Sequence, residues 1–195
     1  MKSSILTRFL FVLLLLPLVA FVSCDDDVPE AEDEEEIITD VKLIFTSGST
    51  VIEATAQDPD GEGPEDLVVS DAITLMADTE YVLTLELENA IEGESIAEEV
   101  EKESGEHMFF FSFSDELFAN PTGDGNVDNR ADSVLYNDQD GNGQPLGLST
   151  TWTTGSAAQG SFRIILKHQP DIKTATSTVT DGSSDLDLTW QVNIQ

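Results

Sequence analysis

The sequence predicts an all-β protein, an antiparallel immunoglobulin-like β-sandwich with one short helix and a long acidic loop. Three observations carry that expectation. From residue 37 onward apolar and polar side chains alternate with period two, the pattern of half-buried strands. A capping box marks one short helix near the middle of the chain. The length, 195 residues, suits one ordinary domain, and a stretch rich in Asp, Asn and Gly at 115–148 interrupts the alternation. Loops of that length in compact domains are functional or disordered.

The first residues have the layout of a secretory signal. Lys2 and Arg8 precede an apolar run, Phe9 to Val22, broken only by Pro17. The run is short for a membrane span, which needs about 20 apolar residues. Cys24, the single cysteine, directly follows the small residue Ser23, so no disulfide forms within the chain. Phe21-Val22-Ser23-Cys24 resembles a bacterial lipobox, with Phe21 in place of the usual Leu. Residues 1–23 therefore read as a lipoprotein signal peptide, and Cys24 as the lipidated N-terminus of the mature chain. Asp25 to Glu36 holds nine acids in twelve positions; like charges at that density repel, so 24–36 reads as a disordered acidic tether. Its opening Asp25-Asp26-Asp27 resembles the acidic signal that sends some Gram-negative lipoproteins to the cell surface. The β-sandwich domain is expected to occupy 37–195.

Within that domain Val41, Leu43 and Phe45 share one face of a first strand, and weaker strands fall at 50–56 and 67–76. Tyr81, Leu83, Leu85 and Leu87 alternate with Val82, Thr84, Glu86 and Glu88. Ser95 and Glu98 form the capping box of a helix over roughly 96–104. Ile96 and Val100 give it an apolar face, and Gly105 its stop. His107, Phe109, Phe111 and Phe113 form one face of the next strand, with Met108 and Phe110 opposite, so that strand is expected to be covered on both sides. After the loop insertion 115–148 come strands at 148–154, around Phe162, Ile164 and Leu166, and around Leu186, Leu188, Trp190, Val192 and Ile194. About eight short strands with one helix suit a sandwich.

Charge excludes one class of partner. Against 39 Asp and Glu stand 8 Lys and Arg, a formal charge of −31, and nucleic-acid surfaces need clustered cations. The acids offer cation sites instead. Asp138, Asp140 and Asn142 alternate before Gly143 as in the first half of a calcium loop, although Ser149 replaces the closing Glu. Asp124, Asn126 and Asp128, followed by Asp132, form a similar run, and the two together resemble dockerin or thrombospondin type 3 calcium loops. A weaker run is Asp58, Asp60 and Glu62 with Asp66. Each also reads as an acidic turn whose side chains serve the backbone. His107 and His168, the two histidines, lie at strand ends; if those ends meet, they can hold a transition metal with a carboxylate such as Glu106 or Asp171. Calcium is the cofactor these patterns suggest. No GxSxG, phosphate-binding glycine loop or HExxH occurs, so no enzymatic activity is expected.

Taken together, Glu106 to Phe111, Gly123 to Asp132, Leu166 to Lys173 and Thr180 to Trp190 resemble a group of small predicted outer-membrane lipoproteins of Gram-negative bacteria with no established activity. Some such proteins are labelled periplasmic-binding-fold protein or GTP cyclohydrolase. The first needs repeated βα units, which the alternation does not show. The second needs a combined Cys and His ligand set, for which the single Cys24 beside the signal region does not serve. The resemblance implies an accessory role beside a TonB-dependent outer-membrane receptor and supplies no site residues. The resulting expectation is a non-enzymatic lipoprotein of the outer membrane, on the cell surface or the periplasmic face. It captures a ligand or partners a transporter. The alternatives are a calcium-stiffened adhesive module and a hydrolase whose site the sequence does not mark.

Overall fold

The computed structural model describes residues 36–60 and 67–195. The predicted signal, Cys24, the tether up to residue 35, Glu62 and Asp66 lie outside the described residues. In chain order the elements are β1 (Asp40–Ser47), β2 (Thr50–Gln57), β3 (Val68–Val69), β4 (Ile73–Leu75), β5 (Glu80–Asn89), β6 (Glu94–Ser95), α1 (Ile96–Lys102), β7 (His107–Phe113), β8 (Phe118–Asn120), β9 (Leu135–Tyr136), β10 (Ser149–Thr154), β11 (Ala158–His168) and β12 (Ser183–Ile194). One sheet runs β3-β2-β1-β5-β10-β8, with β6 on β5 and β9 on β10; the other runs β4-β12-β11-β7. This is the all-β sandwich that the alternation predicts.

The long strands bury the face their alternation offers. Val41, Leu43 and Phe45 of β1 stand opposite Leu87, Leu85 and Leu83 of β5, and all six are buried. In the second sheet Phe162, Ile164 and Leu166 of β11 face Trp190, Leu188 and Leu186 on one side and Phe113, Phe111 and Phe109 on the other. The two sheets meet at aromatic edges. Trp152 lies 5.0 Å from Phe162 at 87° and 5.5 Å from Phe111, within the range where edge-to-face rings add stability beyond their buried area.

Three local expectations change. The segment 67–76 is not one strand: β3 pairs antiparallel with β2, while β4 crosses to the other sheet and runs parallel to β12. Burial drives the switch, since Ile73 and Leu75 reach the core while Val68 stays exposed; strands that change sheets make the corners of such folds. The sandwich is therefore antiparallel except at β4. The helix keeps its cap, Ser95 Oγ accepting from the Glu98 N–H at 3.4 Å, but it ends at Lys102. The Glu103 N–H bonds back to the Glu99 carbonyl, and Gly105 follows in the turn without a left-handed φ.

The long loop carries β8 and β9 and folds over β7. Met108, Phe110 and Ile165, on the outer face of the second sheet, are buried beneath Val127, Tyr136 and Val179. So β7 is covered on both sides, as its doubly apolar sequence requires, although it is the last strand of its sheet. Its open edge is closed by the loop. The Phe113 N–H donates to the Asp124 carbonyl, the Asn126 N–H to the Phe111 carbonyl, and the Phe111 N–H to Asn126 Oδ1. Gly125 makes the approach possible, because a Cβ there would collide with the Phe111 carbonyl oxygen. An unpaired edge is an aggregation hazard, and this loop removes it.

The inward face of β12 is testable. Trp190→Asp places a charge in the core and is expected to cost about 3–5 kcal/mol or more. The exposed neighbour Gln191→Asp should stay within about 0.5 kcal/mol. Equal urea midpoints for the two variants would show the face to be reversed.

Candidate functional site

Most residues nominated for calcium have other work. Asp138 accepts the Gly147 N–H on Oδ1 (2.7 Å) and the Ser149 N–H on Oδ2 (2.8 Å). Asp140 Oδ1 accepts from the Asn142 and Gln144 N–H groups, both at 2.8 Å. Its Oδ2 lies 3.2 Å from Lys173 Nζ, with both side chains buried. Burial alone would raise Asp140; the two amides and Lys173 outweigh it and hold the carboxyl below its ordinary range. Asn126 is buried, its Oδ1 taking the Phe111 amide and its Nδ2 donating to Tyr136. Asn129 Nδ2 donates to Asp132. Asp124, Asp128 and Asn142 are exposed on the loop. Asp58 Oδ1 accepts the Asp60 N–H in a short turn. Among the described residues, Asp58, Asn126, Asp132, Asp138 and Asp140 thus accept hydrogen bonds in turns and at the β7 edge, and the cluster with metal-ligand spacing lies elsewhere.

The histidines do meet. They are the last register pair between β7 and β11, and their rings stack at 4.6 Å with 8° between planes. Among the described residues, Glu103, His107 and His168 are the histidine and carboxylate side chains whose ligand atoms all lie within 4.8 Å of one another. Glu103 arrives as the C-cap of α1, His107 opens β7 and His168 closes β11, so three elements converge on one end of the sandwich. Of the carboxylates the sequence suggested, Glu106 Oε2 lies 3.4 Å from His168 Nε2, and Asp171 sits in an exposed left-handed turn.

Asp185 completes the cluster by an irregularity. The β11–β12 register shifts between Leu166 and Lys167: Leu166 pairs with Leu186 and Lys167 with Ser184, leaving Asp185 as the extra residue. Alternation would turn Asp185 outward; the bulge re-aims it, as bulges do beside functional sites. Its side chain is fully buried, with Oδ2 3.7 Å from His107 Nε2. Gly182 allows the strand entry to pass close by, since a Cβ there would strike the His168 carbonyl.

The two nitrogens of His107 differ in their surroundings. His107 Nδ1 lies 3.4 Å from the Glu103 carbonyl, which accepts a proton carried there. Nε2 makes no hydrogen bond although the ring is fully buried, with Asp185 Oδ2 3.7 Å away. Burial, then the neighbouring His168, lowers His107 to about 4, outweighing the Glu103 carbonyl, and the ring is neutral at pH 7. Glu36 closes the cluster from the chain's entry. Burial first, then the charge and hydrogen bond of Glu99 and the charges of Glu103 and Asp185, push it up to about 7. Imidazole nitrogens and carboxylate oxygens are the donor types that ligate cations.

The histidine faces were legible in the alternation. Glu103, Asp185 and Glu36 were not, because nothing local separates them from many other acids. No family model, curated protein or solved structure matches the chain.

The Asp140–Lys173 pair, with Lys173 also donating to the Ser104 carbonyl at 2.6 Å, ties the loop to the α1–β7 turn. Lys173→Met leaves Asp140 charged and buried, and is expected to cost about 3 kcal/mol, the low end for breaking a buried pair because this one lies under surface loops. Lys42→Met breaks the half-exposed pair with Glu86 and should cost under about 1 kcal/mol. Equal losses in urea titrations would refute the contrast.

Proposed function

We propose that the chain is a non-enzymatic lipoprotein of the outer membrane, displayed on the cell surface. There it captures a ligand or partners an outer-membrane transporter such as a TonB-dependent receptor. The observation that carries the reading is the order of segments. A signal-like apolar run ends at Val22 just before Cys24, nine acids follow within twelve positions, and the sandwich begins within a few residues of Glu36. Acyl chains on Cys24 would contribute about 0.8 kcal/mol per buried CH₂. The twelve residues from there to Glu36 reach about 40 Å when extended, enough to hold the domain clear of the headgroups.

One further feature supports the reading. The groups that converge at the histidine end are imidazole and carboxylate, which hold cations and polar ligands. Glu36 belongs to that cluster, so the tether joins the domain beside it.

Cys24→Ser is expected to abolish incorporation of labelled palmitate and to release the protein from outer membranes washed at alkaline pH. A variant that still fractionates with washed membranes would overturn the anchor. Digestion of the domain by protease added to intact cells is the expected result of surface display, and full protection would place it on the periplasmic face.

A further inference from the structure

We infer that His107, His168 and Glu103 form a binding site for a divalent transition-metal ion of the zinc class. The inference names a ligand for the capture role proposed above and rests on that reading for its biological purpose. The binding itself is a property of the folded domain.

Four observations point there. His107 is wholly buried, yet its Nε2 makes no hydrogen bond, and a buried polar nitrogen left unsatisfied costs about 1–3 kcal/mol. A metal ion would satisfy it. The contact between Glu106 and His168 Nε2 puts the second ring's proton on Nε2 and its lone pair on Nδ1. A carboxylate behind a ligating histidine is the usual way its tautomer and basicity are set. Glu103 supplies a charged oxygen within 4.8 Å of both rings. Finally, the β12 bulge turns Asp185 inward beside His107, which places a second negative charge next to the ion.

The donor set selects the metal. Two nitrogens and one or two carboxylate oxygens suit zinc and its first-row neighbours. Calcium takes six to eight oxygens and gains little from imidazole. The stack itself is not the bound geometry. An imidazole lone pair lies in its ring plane, so two rings only 8° apart cannot both aim at one ion. Tetrahedral ligands at zinc bond lengths stand about 3.3 Å apart, closer than the present spread. His168 is buried but the less enclosed of the two rings, with 8% of its side chain exposed against none for His107. It is the ring that turns out of the stack, while the Glu103 carbonyl holds His107.

The test is titration of zinc, and of cobalt(II) as a spectroscopic probe, into the full chain purified in detergent. One ion per chain is expected, with the visible absorption of cobalt in a nitrogen–oxygen tetrahedral site and no displacement by millimolar calcium. Glu103 is exposed and His168 buried; Glu103→Gln and the polar replacement His168→Gln should both leave the fold intact by circular dichroism. Each is expected to weaken zinc about tenfold or more, and Glu106→Gln about tenfold through the His168 tautomer. Absence of zinc binding at micromolar concentration overturns the inference. So does binding that survives Glu103→Gln combined with His168→Gln, or that calcium abolishes, since the acidic tether would then be the binder. Cys24→Ser should bind zinc like the wild type, so loss of anchoring and loss of the metal are read separately.

Discussion

The register between β7 and β11 is the constraint on which the rest of the molecule hangs. Side chains alternate across a strand, so a slip of one residue would turn Phe109, Phe111 and Phe113 away from Trp152 and Phe162 and bring Met108 and Phe110 inward. The same register sets His107 opposite His168. It also fixes where the Asp124–Asn126 backbone must run to close the β7 edge. One pairing thus decides the core, the cover and the histidine pair together.

The acidity has two uses in the folded domain. On the loop, carboxylates act as acceptors for backbone amides that no strand satisfies: Asp138 takes two and Asp140 two more. A buried amide must find a partner, and short acidic side chains reach neighbouring amides in turns without help from distant residues. At the histidine end the carboxylates are brought together from α1, the chain's entry and β12. There burial, and then the repulsion of neighbouring carboxylates, pushes Glu36 up. The first arrangement lowers the energy of a turn. The second stores electrostatic tension that a proton or a cation relieves.

Asn126 shows why spacing alone misleads in such a chain. Its place between Asp124 and Asp128 has the rhythm of an oxygen-ligand loop, yet its side chain stands in for a neighbouring strand. Alternating oxygen residues and glycines are what a cation loop and a tight turn both need. The distinction lies in what each oxygen touches after folding. For the histidines the logic runs the other way. Both share parity with their strands' inward faces, so their orientation was readable, and only their meeting had to wait for the pairing.

In the sequence by itself, the alternation marks the inward face of the long strands, the cap marks where the helix begins, and the doubly apolar run marks β7 as needing cover on both sides. These follow from backbone geometry, where period two and a side-chain cap act within a few residues of their origin. The sequence also carried the apolar run and Cys24 at the start. Tertiary structure alone decided that 67–76 divides between two sheets, that the acidic loop closes an edge and that His107 meets His168. It alone turned Asp185 inward through a bulge. Those outcomes depend on which strands bury one another, a choice among distant partners governed by the apolar surface removed from water. No local pattern records that choice.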